Sequence, residues 1–372
     1  MSSHTASVLT FSLYLAVVIA LLAFCYARPS YNWDMLAYAA VILDDGETSP
    51  EALHAEVYRV ASEEVPEREY RMMVDTTHQL RSEVLRNSER FYQFLSYFRV
   101  KPLYTLLCDV FYSMGVPLMK ATVLPSVLGV FALALLLFYR FCRSFPLWAA
   151  AVLGLSILCM PPVLEAARLS TPDALNALAL LGAFLVYLYG ANVYWFMLLV
   201  VIAVLVRLDN AIVATVLLVS LIVRDYEVGK GKGVALISIS VIAILLAYTW
   251  FILTYAEYNN GFEQFYGGLA RKWNPIVLMG DAVQGLKTIK TSHVAIAGIS
   301  FVVLFYRNGL SVSALNRPQF LFVVTTIAFA ARYVFFPDLT TRLILPYYIL
   351  CWLFIVERMV EITRPTDGRD TR

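Results

Sequence analysis

Apolar residues gather into long blocks, and charged residues are confined to the stretches between them. Residues 9–26, 118–139, 147–164, 174–190, 193–206, 211–223, 234–256, 293–306, 319–336 and 343–356 are almost free of charge, and 124–139 and 234–248 carry none at all. A helix needs about 20 apolar residues to cross about 30 Å of hydrocarbon. The pattern therefore predicts about ten helices, most of them long enough to span. Two blocks, 193–206 and 211–223, are short, and read as one long tilted helix they would invert everything downstream.

Loop charge decides between these parses. With two helices and a cytosolic N-terminus, the inner loops and tail collect Arg140, Arg143, Arg224, Lys230, Lys232, Arg307, Arg317, Arg358, Arg364, Arg369 and Arg372. That enrichment is the positive-inside bias. Fusing the two short blocks would move Arg307, Arg317 and the tail outside. The expectation is an all-α polytopic membrane protein, one integral domain over 1–372, with about ten spans and both termini cytosolic. The flank before the first block has no Lys or Arg, so 9–26 is read as an uncleaved helix.

Composition agrees. Hydrophobic residues are 60% of the 372, charged residues 15%, and mean hydropathy is +0.69. Soluble domains run at roughly half apolar and a quarter charged. A cytosolic enzyme, a secreted disulfide scaffold and a nucleic-acid binder are excluded, and a net charge of +2 does not argue for a polyanionic partner. The five cysteines show no paired spacing and the four histidines are scattered, so neither a disulfide framework nor a zinc site can be read.

The first external loop, 28–117, is far longer than any other connection. Helical spacing of Leu53, Val57, Val60 and Ala61 predicts an amphipathic helix over 50–65, and Leu80, Val84, Leu85, Phe91, Phe94, Leu95 and Phe98 predict another over 78–98. Such helices suit the membrane surface or the top of the bundle. A second external loop, 257–292, is rich in Gly and aromatics.

Once the chain is oriented, its remaining charges fall on one side. Asp34 follows the first span. Glu165, Arg168 and Asp173 share the next external turn, Arg207 and Asp209 lie between the two short helices, and Arg332, Asp338 and Arg342 surround the last turn. Charge at that depth is costly unless paired or facing a hydrated cavity. Each residue alone also reads as a local ion pair or an ordinary helix end, as Asp173 does after Ser170-Thr171-Pro172. As a set, they call for an outward-facing polar cavity.

No GxGxxG, P-loop, HExxH or GxSxG occurs, so nucleotide, zinc-peptidase and nucleophilic-elbow chemistry has no support. A lone early carboxylate beside several cations at a membrane suits transfer of a group from a lipid-linked phosphate. The carboxylate can deprotonate an attacking hydroxyl, and Lys or Arg can stabilise charge on a departing phosphate.

Five segments carry a family resemblance: Asp34 just after the first span, Arg99-Val100-Lys101-Pro102-Leu103-Tyr104 leading into the second, 170–188 and 207–218 at helix starts, and 340–353 late in the chain. In order and sidedness the chain resembles the GT-C superfamily of membrane glycosyltransferases, with aminoarabinose transferases and protein O-mannosyltransferases nearest. Lys101-Pro102-Leu103 lacks one proline of their Lys-Pro-Pro-Leu, and Arg99-Val100 stands where a second acid would precede the lysine, with Asp44, Asp45 and Asp109 as other candidates for that acid. The resemblance implies Asp34 as general base, a polyprenyl-phosphate sugar donor, and inversion at the anomeric carbon. It implies donor-phosphate binding by Lys101 and Arg342, with Arg207 and Arg332 next in line. Arg168, Asp173 and Asp209 would line the substrate cavity. The acceptor would be a glycan, lipid or protein, reached among membrane lipids and without nucleic acid. No cofactor is implied, and no acidic cluster of the Mg²⁺ type requires a metal.

A flippase for lipid-linked sugars and a surface-polysaccharide polymerase or ligase would share an outward polar cavity. Against the flippase, the chain shows no halves of matching hydropathy. The absence of an N-x-S/T sequon favours a bacterial inner membrane, with the site facing the periplasm.

Overall fold

The computed structural model describes residues 3–75, 79–190, 193–227, 231–256, 290–306, 315–335 and 342–363, with Gly280 and Val283 as isolated residues. Asp338, Lys230, Arg307, the tail beyond 363 and nearly all of the 257–292 loop lie outside them. Among the described residues all regular structure is helical. The apolar blocks form α1 (Ser3–Ala27), α9 (Leu118–Cys142), α10 (Leu147–Leu158), α11 (Pro161–Arg168), α12 (Asp173–Leu188), α13 (Val193–Val206), α14 (Asn210–Glu227), α15 (Gly231–Ala256), α16 (Thr291–Phe305), α17 (Arg317–Phe335) and α18 (Leu345–Thr363). Among the described residues two helices, Thr5–Ala27 and α9, are long and apolar enough to cross a membrane, or three if α10 and α11 count together. The 147–164 block was expected unbroken. Instead it bends by 66° between α10 and α11. Pro161 and Pro162 at the start of α11 cannot continue the hydrogen-bonding of the preceding helix.

Contacts at helix ends give each helix its direction. Asp173, first in α12, pairs with Arg207 just after α13, and Asp209, just before α14, pairs with Arg332 near the end of α17. At the other ends, Arg140 of α9 and Tyr189 after α12 both bind Glu357 of α18, at 2.6 Å and 3.0–3.1 Å. Arg224 of α14 donates to the Tyr187 hydroxyl at 2.6 Å and lies 4.5 Å from the Phe320 ring of α17. The chain thus reverses at Arg207–Asp209. α13 and α14 are two helices, and α14 is longer than the 211–223 block. Asn210 Nδ2 holds the reversal by donating to the Ala203 carbonyl and to Asn176, each at 2.7 Å.

The 28–117 region folds as α2 (Trp33–Leu43), α3 (Pro50–Glu64), α4 (Glu67–Met73), α5 (Gln79–Arg86), α6 (Ser88–Phe94), α7 (Ser96–Arg99) and α8 (Pro102–Ser113). The 50–65 helix forms as expected, with Leu53, Val57 and Ala61 buried. The 78–98 helix does not form as one piece. Asn87 has extended backbone angles and its side chain accepts from Arg90 N–H at 2.9 Å, so it caps a new helix within the periodic run. Phe91, Leu95 and Phe98 are buried nonetheless, because the short helices keep one apolar face on α2 and α3.

One hydrogen bond seats α8 on the bundle, and a second holds α9 to the segment before α12. Pro125 interrupts the α9 hydrogen-bond ladder, and in that turn the Thr122 carbonyl accepts from the Tyr104 hydroxyl of α8 at 2.5 Å. Ser126 donates to the Thr171 carbonyl at 2.7 Å, fixing the segment before α12. A Cβ on Gly129 would sit 3.0 Å from the Leu175 nitrogen, so glycine lets α9 and α12 approach this closely.

Glu64, at the end of α3, accepts from the backbone N–H groups of Leu118 and Met119 at 3.0 and 2.9 Å. It caps α9 from a distance, because Pro117 at the cap position offers no side-chain acceptor. Glu64→Ala is expected to lower stability by about 1–2 kcal/mol, the range of a lost helix cap. Glu64→Gln should lower it less, since an amide oxygen still accepts but no longer complements the helix dipole. Thermal melts in detergent check the order: equal midpoints for wild type and both variants would mean the cap contributes nothing.

Candidate functional site

Asp34 sits in the first turn of α2, one residue after Trp33, which is buried edge-on against Phe94 at 4.7 Å. The following run Met35–Ala40 is buried throughout, so α2 is seated along its length and Asp34 has a fixed position. Its Oδ2 accepts from Asn32 Nδ2 at 3.0 Å and from Arg342 Nη1 at 3.4 Å. The side chains of Asp34 and Arg342 are 29% and 33% exposed, making them the open edge of the group.

Behind them lies a buried ionic network. Asp209 accepts from Arg207 Nε and Nη2 at 3.0 and 3.1 Å and from Arg332 Nε and Nη2 at 2.9 and 2.5 Å. Arg207 also pairs with Asp173, whose side chain is 1% exposed. The network joins α12, the α13–α14 turn and α17, and every charge in it has an opposite partner, as burial demands.

Lys101 is different. It precedes α8, where Pro102 sets the helix start, and its Nζ lies 4.6 Å from the Phe98 ring and 5.3 Å from the Tyr38 ring. Among the described residues it makes no salt bridge, although it feels Asp34, Asp209 and Asp173 as well as Arg207. Aromatic faces attract a cation but do not neutralise it. Burial first, and Arg207 second, lower its pKa to about 8, against the pull of the three carboxylates.

The chain thus gathers Asp34, Lys101, Asp173, Arg207, Asp209, Arg332 and Arg342 at one end of the bundle. Four cations against three carboxylates leave one positive charge in excess. Arg168 stands apart: its Nε donates to the Arg28 carbonyl at 2.9 Å and its own carbonyl accepts from Ser30, so it braces the α1–α2 connection.

No family model matches this chain, and no curated protein or solved structure does either.

Several buried polar atoms around the group have no hydrogen-bond partner among the described residues: Asn32 Oδ1, the Tyr38 hydroxyl, Thr171 Oγ1 and Asp173 Oδ2. Buried polar atoms are normally satisfied, and exceptions gather where ligands bind. Asn32 and Tyr38 were not singled out from the sequence. The available signal was spacing, since Tyr38 lies one helical turn after Asp34. Among the described residues no group of three or more metal-capable side chains assembles.

Among the described residues the arrangement offers a partly exposed carboxylate, a lysine that feels its charge without a salt bridge, and a paired network beside them. Such a site can hold an anionic group and accept a proton beside it. Asp44 and Arg99, at the far end of α2, form a separate buried pair.

Proposed function

We propose that this chain is a membrane glycosyltransferase of GT-C type, using a polyprenyl-phosphate sugar and acting on the external face. The observation that carries this reading is the juxtaposition of Asp34 with Lys101, which makes no salt bridge among the described residues, at one end of the bundle. The alternating helix directions support ten traverses with 28–117 outside, since Arg140, Arg224 and Arg317 gather at the opposite end. In a bacterial inner membrane that opposite end is the cytosolic one.

In the proposed step Asp34 removes the proton of an acceptor hydroxyl. The hydroxyl oxygen then forms a bond to the anomeric carbon as the carbon–oxygen bond to phosphate breaks, with inversion. The electron pair leaves on the lipid phosphate, held by Lys101 and, once it turns from Asp34, by Arg342. Arg207 and Arg332 are tied to Asp209. Their part is to hold the positive field in place rather than to grip the phosphate. A phosphate leaves readily, so cationic stabilisation replaces the general acid a hydrolase needs.

Transfer from defined polyprenyl-phosphate sugars by the full-length chain in vesicles tests the reading. Product formation supports it, whereas movement of the donor across the bilayer without transfer would replace it with a flippase. Lys101 supplies a sharper test. Lys101→Gln should raise the donor KM at pH 7 by about tenfold, since a charge-assisted hydrogen bond contributes roughly 1.5–3 kcal/mol. With a pKa near 8, the free site loses its lysine charge as pH rises through 8. Donor affinity should fall over that range in the wild type, and Lys101→Arg should abolish the fall because guanidinium stays charged. The same pH profile in wild type and Lys101→Arg would place the donor phosphate on another cation.

A further inference from the structure

Lys101 is fixed by its own backbone between the end of α7 and the start of α8. Its N–H donates to the Phe98 carbonyl at 3.2 Å, and its carbonyl accepts from Thr105 N–H at 3.0 Å. The side chain then meets two rings. Tyr38 and Phe98 stand edge to face, 4.9 Å apart at 88°, with the Lys101 Nζ 5.3 Å and 4.6 Å from their centroids. Both rings are held by neighbours. Tyr38 packs on Tyr104 at 4.7 Å, whose hydroxyl is tied to the Thr122 carbonyl of α9. Phe98 lies 5.5 Å from Phe94 and 6.5 Å from Trp33. Tyr38 and Phe98 are buried, while Lys101 keeps partial exposure.

The charged groups that Lys101 feels come from three places: Asp34 on α2, Asp173 on α12, and Arg207 with Asp209 at the turn between α13 and α14. Each of these aspartates is paired with an arginine: Asp34 with Arg342, Asp173 with Arg207, and Asp209 with Arg207 and Arg332. Arg99, two residues before Lys101, is paired with Asp44. Among the described residues Lys101 itself has ring faces in place of a salt bridge. A ring face attracts a cation through its quadrupole but carries no carboxylate lone pairs. The three N–H donors of the ammonium therefore stay available to an incoming anion.

We propose that Tyr38 and Phe98 are positioning residues, an aromatic cradle that keeps Lys101 charged and its donors uncommitted until a phosphate arrives. The proposal rests on the glycosyltransferase reading for the identity of that phosphate, and it names what regulates its capture. The cradle sets the pH range over which the site takes an anion. Burial and Arg207 have already brought Lys101 down to about 8, so the margin above neutrality is small. The rings favour the ammonium over the neutral amine, so losing one should lower that value further, by about one pH unit. At pH 8 the charged fraction would then fall from about one half to about one tenth.

The test reads the lysine directly. The full chain in phosphatidylcholine nanodiscs is reductively methylated over a series of pH values, and modification at Lys101 is followed by peptide mass spectrometry. Replacing Phe98 by mono-, di- and trifluorophenylalanine weakens the negative ring face while nearly keeping its shape. The Lys101 midpoint should fall stepwise along that series, and by about one pH unit in Tyr38→Leu. Tyr38→Phe keeps the ring and removes only the hydroxyl, so its midpoint should match wild type. A midpoint unmoved by fluorination, or one that rises in Tyr38→Leu as water replaces the ring, overturns the cradle. In transfer assays at pH 8, Tyr38→Leu should raise the donor KM about fivefold with kcat little changed. If the midpoint moves as expected but wild type uses no polyprenyl-phosphate sugar, the cradle stands and the glycosyltransferase reading falls.

Discussion

Asp34→Asn is expected to reduce sugar transfer by about 10²–10⁴-fold, the usual cost of losing a general base, while stability changes by no more than about 1 kcal/mol. Both halves follow from the geometry. The substitution keeps size and leaves Asn32 and Arg342 in reach of an amide oxygen, but removes the proton acceptor. The Asp34–Arg342 contact is long, at 3.4 Å, and both side chains are about one-third exposed. Pairs of that kind contribute little. Donor binding should survive, because Lys101 is untouched. Turnover with a defined donor, read beside a thermal melt of the same preparation, decides the matter. A variant with wild-type turnover would remove Asp34 from the mechanism.

Asp209→Ala should do the reverse, and act first on folding. Four hydrogen bonds from two guanidiniums converge on this carboxylate, and the side chains of Arg207 and Arg332 are 13% and 4% exposed. Removing the carboxylate leaves Arg332 buried without its ion-pair partner and Arg207 with Asp173 alone. Breaking a buried pair from one side costs about 3–5 kcal/mol. The expected result is a large drop in thermal midpoint and poor recovery from membranes. Adding Arg332→Met should restore part of the loss, since the uncompensated charge is then gone. A melt unchanged in Asp209→Ala would show that the network is solvated and contributes little.

The contrast between these two aspartates was not legible in the sequence. Both were singled out because they fall on one side of a membrane chain, and periodicity with loop charge was enough for that. Nothing local distinguishes an aspartate with one long ion pair from one gripped by two guanidiniums. The partners of Asp209 include Arg332, 123 residues away, and Asp34 meets Arg342 across 308. Pairing over such distances depends on where whole helices end.

The same division runs through the fold. The sequence by itself determined the helical class, the 50–65 helix and the position of nearly every apolar helix, because each follows from a local period or a run of uncharged residues. It also singled out Asp34, Asp173, Arg207, Asp209, Arg332 and Arg342 as one-sided charges, and Lys101 entered through the family resemblance. Tertiary structure decided that the chain reverses at Arg207–Asp209, since Asn210 and two long-range ion pairs hold the turn there. It broke the 78–98 run, where an Asn87 cap and packing on α3 outweigh continuous amphipathic spacing. Only there does Lys101 emerge as the one cation of this group with no salt bridge among the described residues, because that depends on which neighbours reach it once the helices are packed.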